Sequence, residues 1–382
     1  MQNFKNIGII GAGSMGIGIA QIASTSDCKV FLYDQSIEIA QNAIHKLRKI
    51  LDRLIEKNRI NNNKRDEILN NIKIVDSLES LVDSDLIIEA IIENLNVKKD
   101  LFSKLEAIVN KDCIIATNTS SLSVTNLASS LKKPFNFIGI HFFNPAPLMP
   151  LVEIIPALQT KISLTGDIRN LLINWGKFPV IAKDTPGFIV NRIARPFYSE
   201  ALRVFDEQIA DFATIDFAMK EIGGFKMGPF ELMDFIGNDV NYAVTESVFK
   251  SFYYDPKYKP SLTQRQYAEA GWLGRKTNKG YYDYNNSIQL SANKDLSVLN
   301  KIFDRILAML INDAVDALYL GIASKEDIDI AMTKGVNYPK GLIEWGQEKT
   351  FSWVENTMDK LYQTYREDRY RCSPLVSKWA NL

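Results

Sequence analysis

The sequence predicts an α/β domain built on a mostly parallel sheet, followed by two all-α helical domains related by internal duplication. Three observations carry this. Short apolar strands alternate with amphipathic helical stretches up to residue 185, the strand pattern then stops, and the last helical stretch repeats the one before it at a constant offset. At 382 residues the chain is also too long for one ordinary core.

In chain order the strand candidates are residues 6–10, 29–33, 86–90, 114–116, 137–141, 151–155 and 180–182. Helical stretches separate several of them, notably 17–23, 37–57 and 97–109, as crossovers between parallel strands require. Pro186 and Gly187 punctuate the chain, and residues 188–252 read as helix throughout. The segment closes on the turn-rich GWLGRKTNKGYYDY, polar NNSIQLSANKD (285–295) reads as a linker, and the remainder is helical. The expected domains are therefore 1–185, 186–284 and 296–382.

The third domain reads as a copy of the second. Asn191-Arg192-Ile193 faces Asp304-Arg305-Ile306 (304 − 191 = 113), and Ile209-Ala210 faces Ile322-Ala323 at the same offset. Ile215-Asp216 faces Ile328-Asp329, and Gly228-Pro229-Phe230-Glu231 faces Gly341-Leu342-Ile343-Glu344. Two helical segments sharing only a periodic pattern would not hold register over this length without a gap.

Composition narrows the function classes. Lys plus Arg (45) balances Asp plus Glu (45), so no global field recruits nucleic acid or an anionic membrane. No apolar run approaches the roughly 20 residues of a membrane span, and the opening MQNFKNIGIIGAGSMG lacks the basic and apolar regions of a signal peptide. Cys28, Cys113 and Cys372 have no metal or disulfide spacing. A cytoplasmic enzyme with no metal site is expected.

Gly11-Ala12-Gly13-Ser14-Met15-Gly16 is a G-x-G-x-x-G placed directly between a strand and a helix. Its first glycine permits the tight turn, the second lets backbone approach a pyrophosphate, and the third lets helix and strand pack closely. The second strand ends in Asp34, 18 residues past Gly16 (34 − 16), where an acid accepts from a ribose 2′-hydroxyl. Gln35 and Ser36 follow, with no arginine for a 2′-phosphate. These features predict a Rossmann-type domain and NAD as cofactor.

Of the two histidines, His45 lies among Lys46, Arg48 and Lys49 on a solvated helix face. His141 ends the apolar strand FNFIGIH, at the kind of sheet edge where ligands bind. Glu153 lies in the next apolar strand, where a carboxylate needs a partner, and His141 is the economical one. Spacing alone leaves open a structural pair and a catalytic dyad. Lys49, Arg53 and Lys57 recur every four residues on one helix face, which suits phosphate contacts or a plain solvated surface.

HFFNPAPLMPLVEII (141–155), TNTSSL (117–122), DTPGFIVNRI (184–193) and GPFELMDFIGND (228–239) resemble the 3-hydroxyacyl-CoA dehydrogenase family, and the likeness covers residues 5 to about 284. The resemblance implies NAD-dependent oxidation of (S)-3-hydroxyacyl-CoA, in fatty-acid β-oxidation or short-chain hydroxybutyryl-CoA metabolism. It makes His141 the base, Glu153 the acid that orients it, and Ser120 and Asn191 substrate contacts. Ser120, Glu93, Lys98 and Asn144 match cofactor contacts, Lys276 matches a lysine near the nucleotide, and Lys57 matches a CoA contact. A family serine in that same helix falls on Ile50, which puts the CoA contact in doubt.

The helical domain commonly forms the dimer contact in this family. A second copy docked in cis could mimic that contact, so a homodimer or a monomer with an intramolecular pseudo-dimer is expected. The competing readings are a dehydrogenase of a free hydroxy acid on the same scaffold, and a non-catalytic NAD-binding structural protein.

Overall fold

The computed structural model describes residues 4–286 and 291–382, in two compact units, Met1–Thr185 and Pro186–Leu382. The expected linker at 285–295 lies partly outside the described residues.

The first unit is an eight-stranded sheet in the order β3-β2-β1-β4-β5-β6-β7-β8. Its strands are β1 Asn6–Ile10, β2 Lys29–Tyr33, β3 Ile72–Val75, β4 Leu86–Glu89, β5 Ile114–Thr117, β6 Phe137–Phe142, β7 Leu151–Pro156 and β8 Phe178–Ile181. β1 to β6 run parallel, β7 turns antiparallel to β6, and β8 follows β7. This is the doubly wound 3-2-1-4-5-6 order with a reversed pair added at one edge. β4, β5 and β6 are buried at every position, as continuous apolar runs covered on both faces must be.

The helices are α1 Ser14–Thr25, α2 Ile37–Glu56, α3 Asn62–Asn70, α4 Leu95–Ile108, α5 Val124–Ala128 and α6 Ile162–Asn174. In α2 the buried residues are Ala40, Ala43, Leu47 and Leu51, a single apolar stripe at helical spacing. β3 is the strand missing from the sequence reading. Its IKIV is four residues long and carries a lysine, too short for alternation to register.

The second unit is helical: α7 Val190–Ile193, α8 Arg195–Asp206, α9 Phe212–Glu221, α10 Pro229–Ile236, α11 Asn238–Ser251 and α12 Leu262–Glu269, then α13 Leu296–Tyr319, α14 Lys325–Gly335, α15 Leu342–Lys349, α16 Phe351–Tyr365 and α17 Pro374–Ala380. Residues 188–252, expected as helix throughout, are five helices, with a break at Gly223, Gly224 and Gly228. At Gly228 a Cβ would lie 2.4 Å from Asp216, so the tight approach of two helices requires glycine.

The two series of helices keep one offset. α14, α15 and α16 begin 113 residues after α9, α10 and α11 (325 − 212, 342 − 229, 351 − 238). Asp216 accepts from the Phe230 and Glu231 N–H groups at 2.9 Å, and Asp329 accepts from those of Ile343 and Glu344 at 2.8 and 3.1 Å. A Cβ on Gly341 would likewise lie 2.4 Å from Asp329.

Polar contacts join the two series, and one of them, Tyr370–Glu200, has its counterpart at the same offset in Lys257–Asp313. Arg305 binds Glu200 at 2.6 Å and Glu207 at 2.8 Å, and the Tyr370 hydroxyl donates to Glu200 at 2.7 Å. The positions 113 residues away are Arg192, Asp313 and Lys257 (305 − 192, 313 − 200, 370 − 257). Lys257 pairs with Asp313, and Arg192 contacts Asp316 at 3.2 Å. Burial acts to raise the Glu207 carboxyl, but Arg305, Tyr365 and Arg203 hold it down at about 2.

Candidate active site

β1 delivers the chain into the glycine loop at the carboxyl edge of the sheet. Gly11 takes φ +98°, and its N–H donates to the Tyr33 carbonyl at 2.8 Å. A Cβ on Gly11 would meet the Ala90 carbonyl at 2.6 Å, and one on Gly16 would meet that of Gly11 at 1.7 Å. Both positions are sterically closed to any side chain. Gly13 differs, because nothing lies within 4 Å of where its Cβ would project. It is the N-cap of α1 and supplies no side-chain cap to the first turn, which begins Ser14, Met15, Gly16. Uncapped N–H groups at a helix start, beside a cradle that a Cβ would fill, suit a pyrophosphate.

Asp34, just past β2, clasps this loop. Its carboxylate accepts from the Ala12 N–H at 2.8 Å and the Ser36 N–H at 3.2 Å. It is half-buried, and each oxygen retains a lone pair for a ribose hydroxyl.

Glu93 organises the loop after β5. Its Oε1 accepts from the Thr119 hydroxyl at 2.5 Å, the Ser120 N–H at 3.0 Å and the Ser121 hydroxyl at 3.0 Å, while Oε2 pairs with Lys98 at 3.0 Å. Burial alone would raise the Glu93 carboxyl, but Lys98, Thr119 and Ser120 together hold it below its ordinary range. The Ser120 hydroxyl accepts and donates no hydrogen bond among the described residues and is only half-buried.

Lys98, which the resemblance matches to a cofactor contact, lies inside the unit. It is 1% exposed, with its ammonium between Glu89 at 2.7 Å and Glu93 at 3.0 Å. It stands behind Glu93 and holds it, instead of presenting charge at the surface. Asn144 is exposed in the loop after β6.

His141 is the penultimate residue of β6, and Glu153 is the third of β7. The antiparallel register sets them directly opposite each other, with Nδ1 2.7 Å from Oε2. Both are nearly buried, at 5% and 0% exposure. Bonding at Nδ1 fixes the ring orientation. The Phe143 ring packs 4.5 Å from the imidazole.

The family's NAD-binding model, described as the 3-hydroxyacyl-CoA dehydrogenase NAD binding domain, matches residues 6–185. The 3-hydroxyacyl-CoA dehydrogenase C-terminal domain matches two stretches, 187–284 and 302–382. The chain belongs to the 3-hydroxyacyl-CoA dehydrogenase family.

A 3-hydroxyadipyl-CoA dehydrogenase of Escherichia coli is 33% identical over 100% of this chain and 98% of its own length. A 3-hydroxybutyryl-CoA dehydrogenase of Bradyrhizobium diazoefficiens is 38% identical, over 73% of this chain and 95% of its own. The crystal structure of an Escherichia coli 3-hydroxybutyryl-CoA dehydrogenase superposes with a TM-score of 0.95 at 33% identity, covering 100% of this chain and 99% of that one. Family membership makes this an NAD-dependent oxidoreductase acting on a CH–OH group of an acyl-CoA.

Lys49 and Arg53 lie exposed on α2 and Lys57 is its C-cap, none of them in an ion pair among the described residues, and Ile50 is 48% exposed beside them. In the second unit, Asn191 is on α7 and half-buried, and Lys276 is an exposed partner of Asp239 at 2.5 Å. The sequence reading missed Glu89, which is fully buried and accepts from Lys98, Thr117 and the Ile91 N–H, each at 2.7 Å. The signal was an acid closing the apolar run LIIE, the same signal that found Glu153. Asp184 was also missed. It accepts from the Ser123 hydroxyl and the Val124 and Thr125 N–H groups, and so anchors the start of α5.

Proposed function

We propose that the chain reversibly oxidises (S)-3-hydroxyacyl-CoA to 3-ketoacyl-CoA, with His141 as general base and Glu153 as the residue that orients it. The observation carrying this is the 2.7 Å contact between His141 Nδ1 and Glu153 Oε2 at the same sheet edge as the glycine loop. Bound NAD would supply the acceptor for the hydride from C3.

The glycine loop and Asp34 would hold its diphosphate and ribose, and Glu93 would set the Thr119–Ser121 loop and Asn144 would contact its nicotinamide half. His141 Nε2 takes the hydroxyl proton, and the Glu153 carboxylate stabilises the imidazolium that forms. In the reverse direction the imidazolium polarises the ketone. Ser120 donates to the substrate oxygen, the resemblance assigns Asn191 the same task, and Lys276 stays near the nucleotide.

Lys49, Arg53 and Lys57 are cations outside any ion pair among the described residues, and they suit CoA phosphates. The pathway is fatty-acid β-oxidation or short-chain hydroxybutyryl-CoA metabolism, and three free thiols favour the reducing cytoplasm.

We infer further that the second unit is a duplication whose halves dock as an intramolecular pseudo-dimer. The Tyr370–Glu200 and Lys257–Asp313 contacts, which the offset of 113 interchanges, support it, since a two-fold contact uses each patch twice. Light scattering tests this, and a tight dimer formed through α8 and α13 would refute it.

The function is tested by NADH oxidation with acetoacetyl-CoA, set against NADPH and against free acetoacetate. Turnover of NADH with the thioester alone supports the reading. Equal turnover of free acetoacetate points to a hydroxy-acid dehydrogenase, and none across an acyl-chain series points to a non-catalytic NAD-binding protein.

A further inference from the structure

The second unit holds a cavity of about 930 Å³ that the dehydrogenase chemistry does not use. Its walls come from both helical series: α8, the segment from Phe249 to Thr263, and residues 366–369. That volume is at the upper end of the roughly 300–1,000 Å³ of small-molecule sites.

Arg369 lines this cavity and is only 6% exposed. Its Nε has no hydrogen-bond partner, and none of its nitrogens lies in an ion pair among the described residues. Its charge reaches Glu367 only through space. A guanidinium whose Nε is buried without a partner is costly, and its planar fork matches an oxyanion.

Lys259 and Arg366 line the same cavity, exposed and outside any ion pair among the described residues. The carboxylates there are mostly engaged. Asp206 accepts from the Ser261 and Thr263 hydroxyls, Glu367 is bound by Arg203, and Glu207 by Arg203 and Arg305. Asp206, bound only by hydroxyls, keeps its charge, and Asp368 is the other acid outside any ion pair among the described residues, which leaves three cations against two acids. Apolar surface completes the lining. Phe249 and Tyr254 meet edge to face at 5.4 Å, and Tyr254 is 63% exposed, so its ring is open to stacking.

We propose that this cavity binds a nucleoside diphosphate, with Arg369, Arg366 and Lys259 on the phosphates and Tyr254 against the base. The ligand would bridge the two helical series and stabilise the unit by linkage.

The test is calorimetric titration of ADP into the full chain saturated with NAD and acetoacetyl-CoA. This oxidised pair cannot turn over and keeps the dehydrogenase sites filled. One further equivalent of ADP binds and raises Tm. Because two charge-assisted contacts are lost, affinity falls about tenfold or more in the double variant Lys259→Gln, Arg366→Gln. Those side chains are exposed, so folding is kept, and dehydrogenase turnover is unchanged. Arg369→Gln weakens ADP at least as much. Absence of ADP binding up to millimolar concentration overturns the proposal, as does unchanged affinity in the double variant. Pyrophosphate binding as tightly as ADP also overturns it, because the base would then contribute nothing.

Discussion

His141 and Glu153 face each other across the antiparallel pair β6–β7 of a sheet in which β1 to β6 run parallel, with Nδ1 2.7 Å from Oε2. The reversal at β7 brings a carboxylate to the carboxyl edge, where parallel strands alone would present only their ends. His141→Ala is expected to lower kcat by about 10²–10⁴-fold, the usual worth of general acid–base catalysis. NAD affinity, measured by fluorescence titration, stays near wild type. Glu153→Gln loses less and alters the pH–rate profile, because the base remains while its orienting charge is gone. Equal loss of turnover and NAD binding in His141→Ala would refute the assignment.

The glycine loop separates packing from ligand contact. Gly16→Ala places a methyl 1.7 Å from the Gly11 carbonyl and is expected to destabilise the domain as well as abolish NAD binding. Gly13→Ala meets nothing within 4 Å, so its Tm stays near wild type while KM for NAD rises. Unfolding curves beside NAD titrations check both, and a Gly13→Ala protein with normal NAD affinity would place the pyrophosphate elsewhere.

Lys98→Met strips the cation from two carboxylates, one of them, Glu89, fully buried. Breaking such a pair from one side costs about 3–5 kcal/mol. Urea denaturation reads the loss, and the slackened Thr119–Ser121 loop raises KM for NAD. A stability change within about 0.5 kcal/mol, as at an ordinary surface site, would show that Lys98 does not hold this cluster.

Asp216 links stability to pH. Burial pushes its carboxyl up to about 7 from 3.8, against the lowering effect of the Tyr282 hydroxyl and the Phe230 and Glu231 N–H groups. The folded chain therefore binds a proton that the unfolded chain releases. The contribution is complete below 3.8 and is lost as pH rises through about 7. The slope in that window is at most about 1.4 kcal/mol per pH unit. Urea midpoints between pH 5 and 8 should fall with pH in the wild type, and the fall should be smaller in Asp216→Asn. Parallel pH profiles would assign the dependence to other groups.

Local patterns in the chain were enough to recognise the nucleotide loop, the acid at Asp34, His141 and the offset between the helical series. Each is a short-range feature: a turn that needs glycine, a strand end, a repeat read along one dimension. Glu153 was legible for a different reason, since a carboxylate inside an apolar strand demands a partner wherever the strand packs.

Partnership among distant residues depended on how the elements came together. The register between β6 and β7, not the 12-residue spacing, sets His141 against Glu153. Three segments converge on Glu93 and Glu89, and Lys98 is buried between the two carboxylates. Arg369, undistinguished in its polar sequence, becomes a buried cation on a cavity only because residues 366–369 pack near α8. Charge, burial and hydrogen bonding are properties of a place in space, and the chain acquires them when strands and helices far apart in sequence close on one another.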